Sequence, residues 1–175
     1  MSSPPLIKTH KFVFLTQIFL RILAIAATFA AAWLTITSKE TTVVYGIQVD
    51  ARYSYSPAFK FLALANLIAF GFSVLSLFLV FIAGRKAVNP TYYFYIFLHD
   101  LAISLLLIAG CAAATAIAYV GKYGNSHTGW MAICDHFAKF CNRVKASAML
   151  SYLAFAFYLI LTIISACNSR RIIAS

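Results

Sequence analysis

The sequence predicts an all-α membrane protein, a four-transmembrane-helix bundle with two extracellular loops and cytoplasmic termini. Three observations predict it. Of 175 residues, 63% are hydrophobic and only 10% charged, too little polar surface for an ordinary water-soluble domain. The apolar residues collect into four runs, each long enough to cross a hydrocarbon core of about 30 Å at about 1.5 Å per residue. Each run carries one stripe of small or polar residues at helical spacing, as the inside of a bundle requires when lipid is the outer solvent. Fourteen Lys and Arg against four acidic residues give a net charge of +10, a balance that in isolation suggests nucleic acid. The basic residues fall between apolar runs instead, so no nucleic-acid partner is expected. Seven Gly and four Pro exclude collagen-like or low-complexity sequence, and no internal repeat indicates a solenoid.

The first run, 14–37, is apolar apart from Gln17, Arg21 and a few Thr. It exceeds the roughly 7 to 15 residues of a signal-peptide core and reads as a retained helix. The second, 57–83, opens with Ser56-Pro57, a capping residue followed by proline at the first helical position, and stops at Gly84-Arg85-Lys86. The third, 91–120, opens at Asn89-Pro90, carries Tyr92, Tyr93 and Tyr95 as an interfacial belt, and ends before Gly121-Lys122. The fourth, 146–167, lies between Lys145 and Arg170-Arg171. The chain thus divides into an N-terminal tail (1–13), a four-span membrane domain (14–167) and a C-terminal tail (168–175), with both tails on one side.

The distribution of Lys and Arg chooses that side. Six flank helix ends in short segments: Lys8, Lys11, Arg85, Lys86, Arg170 and Arg171. Seven spread over two longer loops: Lys39, Arg52, Lys60, Lys122, Lys139, Arg143 and Lys145. The positive-inside rule acts through short flanking segments, so density places the termini in the cytoplasm. Cys134 and Cys141 in the loop between helices 3 and 4 agree, because paired loop cysteines suit an oxidising exterior.

The stripes define the expected interior. Helix 1 offers Gln17, Arg21, Ala24, Thr28 and Ala31; helix 2 offers Asn66, Ala69, Ser73 and Ser76. Helix 3 offers Asp100, Ser104, Leu107, Cys111, Ala114 and Ala118; helix 4 offers Ser147, Ser151, Ala154 and Tyr158. Arg21 and Asp100 lie about 12 to 15 Å inside their helices, where snorkelling gives only partial relief. Helices 1 and 3 run in the same direction, so the two charges sit at equal depth. An unpaired charge at mid-membrane costs about 2.5 to 3.5 kcal/mol on insertion scales, which makes an Arg21–Asp100 ion pair the economical arrangement. Such a pair either clamps the bundle or, with Asp100 titrating beside His99, serves a proton or ion relay. His99 projects about 100° from Asp100 around the helix, so their adjacency in sequence is poor evidence of partnership.

Between the first two helices, Thr41 to Ile47 is β-prone and precedes a Tyr-rich approach to helix 2, the pattern of an interfacial loop with one short strand. Between the last two, Trp130 to Cys141 reads as a short amphipathic element stapled by a Cys134–Cys141 disulfide. A continuous helix would hold those cysteines about 10 Å apart, so an irregular turn must intervene. The alternative, a redox-active thiol pair, lacks a Cys-x-x-Cys spacing. His127, Cys134, His136 and Cys141 match no zinc spacing. Cys111 faces the bundle, and Cys167 sits at the inner boundary as a candidate acylation site. No phosphate-binding, dinucleotide, nucleophile-elbow or HExxH motif occurs, and Glu40, Asp50, Asp100 and Asp135 are the only carboxylates. No enzymatic activity, metal or cofactor is expected.

Mid-depth Arg21, matching Asp100, the run Ala51-Arg52-Tyr53-Ser54-Tyr55-Ser56-Pro57-Ala58-Phe59-Lys60, and Cys134 with Phe140-Cys141 before the fourth helix together resemble the plant CASP-like family. These proteins are relatives of the Casparian strip membrane domain proteins and, more distantly, of the MARVEL tetraspans. The resemblance spans nearly the whole chain. It implies a multi-pass plasma-membrane scaffold that forms homodimers, heterodimers and higher oligomers with CASP-like proteins, organises membrane lipids into domains, and positions secreted wall-modifying enzymes. The first loop lacks the aromatic signature of strip-forming members, which leaves scaffold behaviour as the inherited expectation. Against it stand a small transporter or channel subunit using the Asp/Arg pair, and a thiol oxidoreductase.

Overall fold

The computed structural model describes residues 5–44, 46–83 and 90–173. Its elements run α1 (Pro5–Ile36), β1 (Lys39–Val44), β2 (Ile47–Arg52), a 3-10 turn (Tyr53–Tyr55), α2 (Pro57–Ala83), α3 (Pro90–Tyr123) and α4 (Ala138–Ile173). All four helices contain apolar stretches long enough to cross a membrane: Phe12–Ile36, Pro57–Ile82, Tyr93–Tyr123 and Ala138–Asn168.

Helix α3 runs three residues past its expected end, through Gly121 to Tyr123, and two other helices overrun their expected bounds further. The first starts at Pro5 rather than 14, and the last runs from Ala138 to Ile173 rather than from 146 to 167. Neither extension contains a Gly or an internal Pro, so nothing stops the helix where the charges begin. Hydropathy marks the edge of the membrane, whereas helix breakers mark the edge of the helix. The expected Gly84-Arg85-Lys86 stop and Asn89 cap lie outside the described residues.

Around the bundle, α1 packs against α2 and α4, and α3 packs against the same two. Helices α1 and α3 therefore face each other across one diagonal, α2 and α4 across the other. The stripes turn inward: Gln17, Arg21, Ala24, Thr28 and Ala31 are all buried, as are their counterparts on the other helices except the half-buried Ala118. Outward stand Phe19, Phe29, Trp33, Phe78, Leu105 and Ile163, large apolar side chains that a lipid environment accepts without cost. Mid-bundle, Ala24, Ala69, Leu107, Ala154 and Tyr158 form a tight core in which alanines let the backbones approach.

At the loop end a second core joins Phe59, Leu62, Cys111, Phe137, Phe140 and Val144, with the Phe59 and Phe140 rings edge to face at 5.9 Å. The first loop is a two-stranded antiparallel hairpin, β1 pairing with β2 from Lys39↔Arg52 to Val44↔Ile47, rather than one short strand. Gly46 turns it with φ 81°, a left-handed conformation that glycine adopts freely. Gly124 is more tightly constrained. It ends α3 at φ 70°, and a Cβ there would meet the Trp130 carbonyl oxygen at 2.6 Å.

Candidate functional site: a charged brace across the bundle

Arg21 lies on the inward stripe of α1 and is the largest fully buried side chain among the described residues, 1% exposed. Its guanidinium spans the α1–α3 diagonal. Nη2 donates to Asp100 Oδ2 at 2.7 Å and Nη1 to Asp100 Oδ1 at 3.0 Å, a bidentate fork. Nη1 also donates to Ser76 Oγ at 2.7 Å, which ties α2 into the same knot. One charge cancels the other, and Arg21, Asp100 and Ser76 are all removed from solvent. Breaking such a pair strands a charge, whereas removing both partners together does not.

His99 belongs to this cluster, contrary to the expectation from helical angles. Its Nδ1 lies 3.2 Å from Asp100 Oδ1. The imidazole reaches along the helix surface far enough to offset the angle between the Cβ directions. The ring also rests against Phe72 at 5.9 Å between centroids. A cavity of about 340 Å³ between α2 and α3 is lined by Ser76 and His99 together with Leu75, Leu79, Tyr95 and Ile96. Four buried polar atoms in this half have no hydrogen-bond partner among the described residues: Gln17 Nε2, Arg21 Nε, His99 Nε2 and Ser165 Oγ.

Farther toward the loops the other diagonal is braced by neutral groups. Asn66 Nδ2 donates to Ser151 Oγ at 2.8 Å, and Ser151 Oγ lies 3.1 Å from Asn66 Oδ1, linking α2 to α4. Ser147 Oγ donates to the Ala31 carbonyl at 2.8 Å and meets Thr35 Oγ1, linking α4 to α1. Thr28, Ser73 and Ser104 are buried too, but each returns its hydroxyl to its own helix backbone: Thr28 to Ala24, Ser73 to Ala69, Ser104 to Leu101. They serve close packing rather than cross-links.

A disulfide joins Cys134 and Cys141, with Cα atoms 5.7 Å apart. The irregular turn it requires is the one before Ala138, so Cys134 stands in the loop and Cys141 in the first turn of α4. The same loop closes α3, since the amides of Ile133 and Cys134 both donate to the Gly121 carbonyl. Glu40 on β1 reaches α4, where its Oε2 accepts from the Phe140 amide at 2.8 Å, placing a carboxylate at a helix N-terminus. No local sequence signal links Glu40 to Phe140, one hundred residues away. At the hairpin base Asp50 accepts from Arg52 Nε at 2.6 Å and Tyr55 Oη at 3.0 Å. Those bonds, Arg52 first, hold the Asp50 carboxyl below the usual carboxylate range. Among the described residues no group of three or more His, Cys, Asp or Glu could hold a metal ion.

A brace of Arg on the first helix to Asp on the third coincides with a sequence match: residues 10–157 match the Casparian strip membrane protein domain. The chain belongs to the CASP-like family. It is 58% identical to CASP-like protein 1F1 of Vitis vinifera over 97% of this chain and 82% of that relative. To CASP-like protein 1F2 of Populus trichocarpa it is 55% identical over 95% of this chain and 92% of the relative. CASP-like protein 1F1 of Ricinus communis is 49% identical over 95% of this chain and 93% of the relative. These matches do not extend the likeness to MARVEL tetraspans. No solved structure matches the chain.

Proposed function

We propose that this CASP-like chain is a non-enzymatic, self-associating scaffold of the plasma membrane, with both termini cytoplasmic and the hairpin and disulfide loop outside. The observation that carries it is membership of the CASP-like family over residues 10–157; the buried Arg21–Asp100 brace fits it by fixing α1 against α3 while large apolar side chains stand on the outer faces of the helices. A rigid bundle with such faces is suited to lateral association with copies of itself, with other CASP-like proteins and with lipid. Secreted wall-modifying enzymes are the expected outer partners, met by the hairpin and the stapled loop.

Photobleaching of a fluorescent fusion in plant cells tests this reading. Slow, patch-confined recovery for the wild type and fast recovery for Arg21→Ala and Asp100→Ala are expected. Rapid, uniform diffusion of the wild type would contradict it.

One observation favours a second reading, a small transporter or channel subunit. His99 touches Asp100 and borders the cavity between α2 and α3, so a titratable group connects the buried carboxylate to the bundle surface. Proton-linked flux into proteoliposomes, lost in Asp100→Asn and His99→Gln variants that still assemble, would replace the scaffold by the relay. Absence of flux in the wild type would dismiss it.

A further inference from the structure

The stapled loop borders an open cavity of about 420 Å³ where α3 ends and α4 begins, within the size range of small-molecule sites. One wall is apolar, formed by Ala118 and Tyr119 of α3 and Val144 of α4; the loop contributes Ile133 and the Cys134–Cys141 bridge. Two lysines, Lys122 and Lys145, line it from facing helices. Lys122 Nζ lies 4.9 Å from the centre of the Tyr123 ring, a cation–π contact that steadies it beside the cavity. Asp135 is a third charged lining group, so the charged lining residues sum to a single positive charge. The cavity stands at the loop-side limit of the spans Tyr93–Tyr123 and Ala138–Asn168, the depth at which lipid headgroups meet acyl chains.

The geometry points to a binding site for one anionic amphiphile, its head between Lys122 and Lys145 and its chain along the Ala118–Val144 wall. Apolar surface continuous with cationic surface, at the boundary of hydrocarbon and water, matches a molecule with the same division. Phospholipid phosphate and free fatty-acid carboxylate share that chemistry. The site is independent of whether the charged brace serves a scaffold or a relay.

Native mass spectrometry of the full chain extracted in mild detergent tests it, with dioleoylphosphatidylglycerol and oleate titrated as separate probes. Wild type is expected to retain one amphiphile per chain, and the mass of the retained species identifies its source. A near-surface lysine contributes enough that Lys122→Gln with Lys145→Gln should weaken retention about thirtyfold. Ala118→Trp, which sets a bulky ring on the apolar wall and keeps both lysines, should weaken one-to-one retention sharply. Lys39→Gln with Lys60→Gln removes two loop-side charges outside the cavity and should change nothing. A wild-type chain that emerges free of amphiphile, or equal retention by all four proteins, would overturn the site, the latter showing nonspecific annular lipid only.

Discussion

The two halves of the bundle hold themselves together by different chemistry. In the half nearer the termini, a charged fork crosses the α1–α3 diagonal, flanked by four buried polar atoms without partners among the described residues. In the loop half, a neutral Asn66–Ser151 link crosses the α2–α4 diagonal, and a disulfide, a hairpin capping α4 and an aromatic cluster share the load. Polar cohesion in the first half is concentrated in one ion pair; in the second it is distributed. Concentration makes a structure specific and fragile at one point, because removing one member of a buried pair leaves a stranded charge. Distribution makes it tolerant.

The largest expected effect separates the halves directly. Arg21→Ala should destabilise the bundle by about 3 to 5 kcal/mol. Hydrogen exchange in nanodiscs should show loss of protection around residues 17–28 and 96–107 first, with 57–66 and 138–151 retained. Uniform loss across both halves would erase the comparison.

Cutting the disulfide should act on the loop half alone. Cys134→Ser with Cys141→Ser is expected to cost about 2 to 3 kcal/mol by the chain-entropy account of so short a loop. Exchange should rise over 125–141 while Arg21 and Asp100 keep their contact. Gly124→Ala sharpens the same point, because it combines a left-handed φ with a carbonyl 2.6 Å from the new Cβ. A loss of about 1 to 2 kcal/mol in thermal unfolding is expected, and a neutral result would mean that the loop moves aside freely.

Distribution predicts a small effect at the neutral brace. Asn66→Leu should cost about 1 kcal/mol or less, the usual worth of an interhelical hydrogen bond in membranes. A loss as large as that of Arg21→Ala would show that Asn66, not the surrounding core, holds that half.

These outcomes rest on features that were unequally legible. The stripes were readable because lipid leaves only one face for small and polar residues, so spacing alone placed Arg21, Asn66, Asp100 and Ser151 inside. Pairing of Arg21 with Asp100 followed from equal depth. Which helices lie on which diagonal did not follow, since hydropathy carries no neighbour order, so neither did the Asn66–Ser151 link. The His99 contact was missed because helical angle describes the Cβ direction and not the reach of an imidazole. The helices run past the expected ends at 14, 120, 146 and 167, because charged residues end the hydrophobic run without ending the helix. Glu40 at Phe140 joins two loops that no local pattern relates.

The smallest effect concerns pH at the hairpin base. Bonds from Arg52 and Tyr55 depress the folded pKa of Asp50 below its ordinary value of 3.8. Its contribution is therefore present above that value and is lost as pH falls through the lower, folded pKa. An NMR titration of the Asp50 carboxyl should give a midpoint below 3.8, with loosening of the hairpin base at still lower pH. A midpoint at or above the ordinary value would remove this contact from the account.

Arg21 and Asp100 act as one brace within a single chain. A double-mutant cycle of thermal unfolding in nanodiscs, using Arg21→Leu, Asp100→Leu and the two combined, measures it most directly. The brace predicts two strongly destabilised single variants and a double variant that recovers most of the wild-type stability, because no charge is then stranded. Additive losses, with the double variant least stable of all, would contradict it.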